Sequence, residues 1–204
     1  MRRLIVGVTG ASGSLCAGSV LRALAAHREV ERVHVVLSRF ALKTINVELR
    51  ARARDEAGAL RALLGGRAGR ARPSRLILHP SDEMAAPISS GSYPADGMVI
   101  VPCSGGTLAA VAAGTVTNLL QRAAEVTLKE RRPLVLAFRE TPLTLQHVEN
   151  MRRLIQAGAV LYPLVPAFYT HPRGIDDMVE QFTARIFDLL RLPHSLGRRW
   201  GAAR

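Results

Sequence analysis

The stretch "KERRPLVLAFRETP", residues 129–142, decides the fold. Leu134 to Phe138 are five apolar residues in a row. An apolar run without alternation marks a strand covered on both faces, the kind found in parallel sheets with helices on either side. Lys129, Arg131 and Arg132 crowd the start of this strand, and Arg139 and Glu140 follow its end, closed by Thr141-Pro142. Charges at the exit of a buried strand fit a plain surface loop or a site built at the strand end. The stretch alone leaves both readings open.

Working outward, apolar runs alternate with helical spacing along the whole chain. Strands are predicted at Leu4–Val8, Val33–Leu37, Leu76–Leu78, Met98–Val101, 134–138 and 159–161. Helices are predicted at Ser14–Ala26, Phe40–Leu49, near Asp55–Leu64, near Thr107–Ala113 and Asn118–Glu130, then at 144–157 and near 175–190. Between 50 and 74 an Arg-, Ala- and Gly-rich stretch reads as that short helix followed by a mobile Gly/Arg loop. No internal repeat or splitting linker is evident. The pattern predicts an α/β fold in one domain, with a parallel sheet covered by helices on both faces.

Ligands of such sheets sit beyond the carboxyl ends of the strands. That rule selects Thr9–Gly13, Ser38, Pro102–Thr107 and Arg139–Thr141, all rich in Gly, Ser, Thr or charge. Thr9-Gly10-Ala11-Ser12-Gly13 lies between a strand and a helix, where small residues let a phosphate approach and the helix N-terminus offers N–H groups. The dinucleotide fingerprint G-x-G-x-x-G is not met. A short-chain dehydrogenase also fits poorly, because Cys16 stands where its third Gly would be and no Tyr has a Lys four residues on. Pro102-Cys103-Ser104-Gly105-Gly106-Thr107 is a second small, hydroxyl-rich loop. The two loops suit one phosphorylated ligand held jointly. Pro87-Ile88-Ser89-Ser90-Gly91-Ser92 reads as a polar surface loop. "PLVPAFYTHP", residues 163–172, is stiffened by three prolines and carries Phe168 and Tyr169, a lid or an aromatic wall.

The 204 residues suit one domain, and 48% hydrophobic content with 4% aromatics implies an aliphatic core. The formal charge is +12, almost all from Arg, since Lys43 and Lys129 are the only lysines. Such a charge favours anionic partners. The basic stretch 50–75 lacks the stacking aromatics of a nucleic-acid module, so nucleic acid is not expected. Cys16 and Cys103 have no metal-like spacing and imply no disulfide framework. No apolar run reaches a membrane span, and a cytoplasmic location is expected.

The segments "VTGASG", "PISSGS", "MVIVPCSGGTLAAVAAG", "LLQRAAEVTLKERRPLVLAFRETPL" and "GAVLYPLVPAFYTHP" together resemble UbiX-like flavin prenyltransferases over roughly residues 2 to 192. The resemblance implies a flavodoxin-like (Rossmann-like) three-layer sandwich with a parallel sheet, as a single domain over residues 1–192 with 193–204 as a C-terminal tail, assembled as a dodecamer with active sites at subunit junctions. It implies reduced FMN and dimethylallyl monophosphate as substrates, joined at flavin N5 and C6 without a metal. The prenylated FMN would go to a UbiD-like decarboxylase. By position it implies FMN contacts at Gly10, Ala11, Ser12, Ser38, Ser104, Gly105, Gly106, Thr107 and Arg139. Ser12, Glu48 and Glu140 resemble the catalytic set. Arg122, Lys129, Tyr169 and Arg185 resemble the group that holds the dimethylallyl phosphate. The chain departs from the family at Cys16, commonly Tyr, and at Glu83, Trp in some members. A flavin-dependent cysteine decarboxylase of the same fold is the rival enzyme, but its P-x-M-N type motif is absent. A non-catalytic FMN-binding protein is the other alternative.

Overall fold

The computed structural model describes residues 1–65 and 73–201. The Gly/Arg loop read between 50 and 74 falls partly on 66–72, outside the described residues. Six strands form one sheet: β1 (Arg2–Val8), β2 (Val30–Leu37), β3 (Leu76–His79), β4 (Gly97–Cys103), β5 (Leu134–Phe138) and β6 (Val160–Leu161). Their order is β3-β2-β1-β4-β5-β6, and every neighbouring pair is parallel. The helices are α1 (Ser14–Ala26), α2 (Ala41–Glu48), α3 (Glu56–Leu64), α4 (Gly105–Ala113), α5 (Leu119–Lys129), α6 (Leu145–Gln156) and α7 (Ile175–Leu189). The flavodoxin-like expectation holds. Element bounds agree with the sequence expectation to within three residues; β2 begins earlier, at Val30, and β4 continues past Val101 through Pro102 to Cys103.

Two cores explain the unbroken apolar strands. Successive strand residues point to opposite faces. Val135 and Ala137 therefore enter the core under α1, α2, α3 and α7, while Leu134, Leu136 and Phe138 enter the core under α4, α5 and α6. The same split runs through β1 (Leu4, Val6 and Val8 against Ile5) and β4 (Val99 and Val101 against Met98 and Ile100). Each fully buried aliphatic side chain contributes about 1.5–3 kcal/mol. Charge is excluded from both faces, so it collects where β5 ends.

The chain order reverses between β1 and β4, which places the switch-point crevice at their carboxyl ends. The segment after α7 returns to the domain: Leu192 is buried, the Pro193 carbonyl lies 2.8 Å from His27 Nε2, and Leu196 packs on the first core.

One buried polar chain crosses the second face. His34 Nε2 lies 2.6 Å from the Tyr93 hydroxyl, and His34 Nδ1 lies 2.8 Å from His79 Nε2. His79 in turn reaches Glu83 at 3.2 Å, which anchors this chain at its outer end. Burial, then the neighbouring His79, Arg32 and Arg3, push His34 down to about 4. An unfolded His titrates near 6.5, so between about pH 6.5 and 4 the unfolded chain binds more protons and stability falls as pH falls. We expect a loss of up to about 3 kcal/mol from this group over that window. Urea unfolding at pH 7 and pH 4.5 measures it, and His34→Gln should flatten the slope; an equal slope in the variant rules His34 out as its source.

Candidate active site

Thr9 fixes the switch point. Its hydroxyl donates to the Pro102 carbonyl at 2.7 Å and accepts from the Ser104 N–H at 3.0 Å, tying the β1 exit to the β4 exit. It is buried, and the sequence reading passed over it as part of a small-residue loop. Ser104 caps α4 by accepting from the Thr107 N–H, and the two hydroxyls lie 3.2 Å apart. Thr9→Val keeps the shape but orphans the Ser104 N–H. We expect about 1–3 kcal/mol lost on chemical denaturation, since a buried donor is left without a partner. A variant as stable as the parent would show that the bridge contributes nothing.

Ser12 and Glu48 are brought together. Both Glu48 carboxylate oxygens accept from the Gly13 N–H at 3.1 Å, and Oε2 accepts from the Ser14 N–H at 2.7 Å. Burial alone would raise the Glu48 carboxyl. Hydrogen bonds from the Ser12 and Ser14 hydroxyls and from these two amides outweigh it and hold the group below the usual carboxylate range. The free amides expected for a phosphate at the start of α1 are thus engaged by the chain's own carboxylate. The sequence context suggested an anion at this helix N-terminus, and the anion seated there is Glu48.

The β2 exit packs against this loop. Thr44 donates to the Gly10 carbonyl at 2.9 Å. A Cβ at Gly10 would meet the Cβ of Phe40 at 2.7 Å, so only glycine lets the two exits approach this closely. Ser38 and Arg39 line a cavity of about 720 Å³ beside the exits of β2 and β3, whose rim also carries Asp55, Glu56 and Asp82. That volume lies within the usual range of small-molecule sites. Of the expected flavin contacts only Ser38 lines this cavity; the Gly10–Ser12 and Ser104–Thr107 loops and Arg139 do not.

Arg139 and Glu140 lie just beyond β5, both exposed, with the Arg139 N–H donating to the Cys103 carbonyl at 3.0 Å. Gly105 lies close to both Glu140 and His147, the second of which sequence reasoning missed. A Cβ placed on Gly105 would lie 2.9 Å from His147 Nε2 and 3.7 Å from a Glu140 carboxylate oxygen. His147 is held there as the third residue of α6, its Nδ1 accepting from the Thr144 N–H at 3.1 Å in a capping box. The signal was present as Thr-x-x-His at the helix start, but Glu or Gln is the usual partner.

The four residues expected to hold the donor phosphate fall into two pairs. Tyr169 and Arg185 line one cavity of about 330 Å³ on the α7 side. Arg122 and Lys129 flank the loop 87–92 on the α5 side. Arg122 donates to the Ser89 carbonyl at 3.1 Å, and Lys129 pairs with Glu130 beside Gly91. Arg132, which the sequence left without a role, donates to the carbonyls of Gly91 and Tyr93, both at 2.8 Å. Helix α7 packs in the first core and α5 in the second, so the sheet stands between the pairs within one chain. Among the described residues no cluster of three or more His, Cys, Asp or Glu is arranged to hold a metal ion. No helix among them is long and apolar enough to cross a membrane.

The flavoprotein family model matches residues 1–186. The flavin prenyltransferase UbiX of Salmonella typhimurium (strain LT2) is 42% identical over 207 residues, spanning 100% of both chains. This chain belongs to the UbiX-like flavin prenyltransferases. Flavin prenyltransferase LpdB of Lactiplantibacillus plantarum is 41% identical, with 98% of each chain covered. The solved structure of AnUbiX (PadA1) in complex with FMN and dimethylallyl pyrophosphate matches with a TM-score of 0.85 at 41% identity, covering 100% of this chain and 99% of that one. The solved structure of a dodecameric FMN-dependent UbiX-like decarboxylase from Escherichia coli O157:H7 matches with a TM-score of 0.84 at 40% identity, covering 98% of this chain and 100% of that one. The FMN-dependent cysteine decarboxylase TvaF shares the fold, with a TM-score of 0.57 at 19% identity over 90% of this chain and 99% of that one.

Proposed function

We propose that this UbiX-like chain joins a dimethylallyl group from dimethylallyl monophosphate to reduced FMN at N5 and C6. The observation that carries this reading is the switch-point constellation. An ionised Glu48 sits on Ser12 and the α1 amides, in a crevice whose other exits carry Ser38, Ser104–Thr107, Arg139 and Glu140. Ser38, Arg39 and Arg139 suit the FMN phosphate and ring edge, with Gly10, Ala11, Gly105 and Gly106 giving the backbone close approach. Reduced FMN supplies the nucleophilic nitrogen and ring carbon.

The remaining chemistry falls to the protein. Breaking the donor's C–O bond sends its electron pair out with the phosphate, and nearby cations and hydrogen-bond donors stabilise that charge. Arg122, Lys129, Tyr169 and Arg185 are the groups for this role. Because the sheet separates them within one chain, a second copy would supply the missing pair. This agrees with the dodecameric relative and supports a dodecamer here. Glu48, held as a carboxylate, accepts a proton rather than giving one. Glu140, at the β5 exit, is the second proton-handling group. The prenylated product would be passed to a UbiD-like decarboxylase, and the cytoplasm is the proposed location.

The test incubates purified protein with FMN, dithionite and dimethylallyl monophosphate, with the pyrophosphate ester in a parallel arm. Mass spectrometry should show FMN carrying one added C5 unit. Recovery of unmodified FMN alone in both arms would overturn the reading.

A further inference from the structure

Asp188 gathers more partners than a surface carboxylate ordinarily does. Arg185 Nη1 donates to its Oδ2 at 2.7 Å, and Arg199 Nη2 donates to Oδ1 at 2.8 Å. His194 Nε2 lies 2.9 Å from the same Oδ1. The Leu196 N–H donates to His194 Nδ1 at 3.1 Å, which leaves Nε2 as the nitrogen that bears hydrogen and donates to Asp188. The His194 side chain is only 4% exposed, and Asp188 is 22% exposed. Burial would raise the Asp188 carboxyl, but hydrogen bonds from Arg199, His194 and Arg185 outweigh it and hold it below the usual range.

Two of these partners come from the segment beyond α7, so the carboxylate links that segment to Arg185. All four groups line the 330 Å³ cavity, together with Tyr169 and Trp200, whose ring meets Tyr169 edge-on at 5.0 Å. An Arg–Asp pair three residues apart on a helix surface stabilises little by itself. Its consequence here is positional. Arg185 is more than half exposed, a long flexible side chain that would otherwise sample many rotamers. If Arg185 leaves, Asp188 keeps two hydrogen bonds and is not stranded as a bare carboxylate.

We propose that Asp188 is a holding carboxylate for Arg185. It keeps the guanidinium at the cavity beside Tyr169 until a phosphorylated donor enters, then yields it to the donor's phosphate while His194 and Arg199 keep the carboxylate bonded. The proposal rests on the reading of this cavity as the donor-phosphate side of the site. Asp188 is a positioning residue, since it acts through Arg185. Its negative charge competes with the incoming phosphate, so affinity is held below what the arginines alone would give, in return for a pre-aimed Arg185 and exclusion of weaker anions.

Trp200 is the only tryptophan in the chain, so its fluorescence reports this cavity directly. Inorganic phosphate and dimethylallyl monophosphate are titrated into the full-length protein, with calorimetry in parallel. Asp188→Asn should bind inorganic phosphate about 3- to 10-fold more tightly, because the competing charge is gone while an acceptor oxygen remains. A gain in affinity is a result that structural damage does not produce. Arg185→Met should weaken binding at least about tenfold, and adding Asp188→Asn to it should restore nothing. Unchanged or weaker binding in Asp188→Asn overturns the proposal, and so does tightening that persists without Arg185. Unaltered binding in Arg185→Met instead sinks the donor-site reading. A wild-type structure at saturating dimethylallyl monophosphate decides the matter even if the variants do not fold. Arg185 should stand off Asp188 with His194 and Arg199 still on it; Arg185 still paired to Asp188 with donor bound refutes the handover.

Discussion

Glu48→Gln is expected to slow prenyl transfer by about 100- to 1,000-fold, the usual range for losing a positioned proton acceptor. The carboxylate accepts from the Gly13 and Ser14 N–H groups, and the Ser12 and Ser14 hydroxyls also bond to it. An amide at the same place has one acceptor oxygen. Its NH2 group would face donors, so one α1 amide loses its partner and the Ser12 hydroxyl is released. At neutral pH the change also removes the ionised acceptor beside the switch-point crevice. FMN affinity should change only a few-fold, since Ser38, the Ser104–Thr107 loop and Arg139 are untouched. Single-turnover formation of the C5 adduct, read by mass spectrometry, and FMN fluorescence quenching separate the two effects. A rate within threefold of the parent would remove Glu48 from the chemistry. The pH dependence has a definite sign. A carboxyl depressed in the fold contributes stability above its unfolded value, about 4.3, and that contribution is lost as pH falls through the folded value.

The second large effect concerns the split donor group. Arg122→Met and Arg185→Met should each abolish most activity as pure oligomers, because each removes a cation from one side of the proposed two-sided site. Mixed by co-unfolding and refolding or by co-expression, the two variants should regain about a quarter of the parent rate. In a random equal mixture that fraction of junctions pairs an intact Arg122 side with an intact Arg185 side. The expectation follows from geometry: α5 and α7 lie on opposite faces of the sheet, so one chain cannot turn both pairs to one ligand. Mixed oligomers as inactive as the pure variants would place all four residues at a site within one chain.

Much of the fold was legible in the sequence for one physical reason. A doubly covered parallel strand is apolar at nearly every position, and "PLVLAF" and "MVIV" advertise this without any structural context. The exits were legible too, because helix N-termini and tight strand-to-helix turns demand Gly, Ser and Thr. The prenyltransferase assignment came from the run of motifs together and agrees with full-length relatives about 42% identical. Some positions were legible by type and silent about role. Glu48 lies on α2 and gave no local signal of reaching the start of α1, because that contact joins residues about 35 apart in the chain. Thr9 looked like a loop residue; its bridge to Pro102 and Ser104 exists because β1 and β4 are neighbours. His147 was hidden as a cap, and the polar loop 87–92 gained meaning once Arg122, Lys129 and Arg132 converged on it.

The sequence by itself determined the strand and helix periodicity, the positions of the exits and the residue types gathered there. These are short-range properties, set by side-chain alternation and backbone preference. Tertiary structure alone decided which charges meet. It seated Glu48 on Ser12, and it joined Arg185 to Asp188 and to the returning segment at His194 and Arg199. It also parted Arg185 from Arg122 by the thickness of the sheet. Electrostatics falls off over a few ångströms of space, and distance along the chain does not reveal which charges come within that reach.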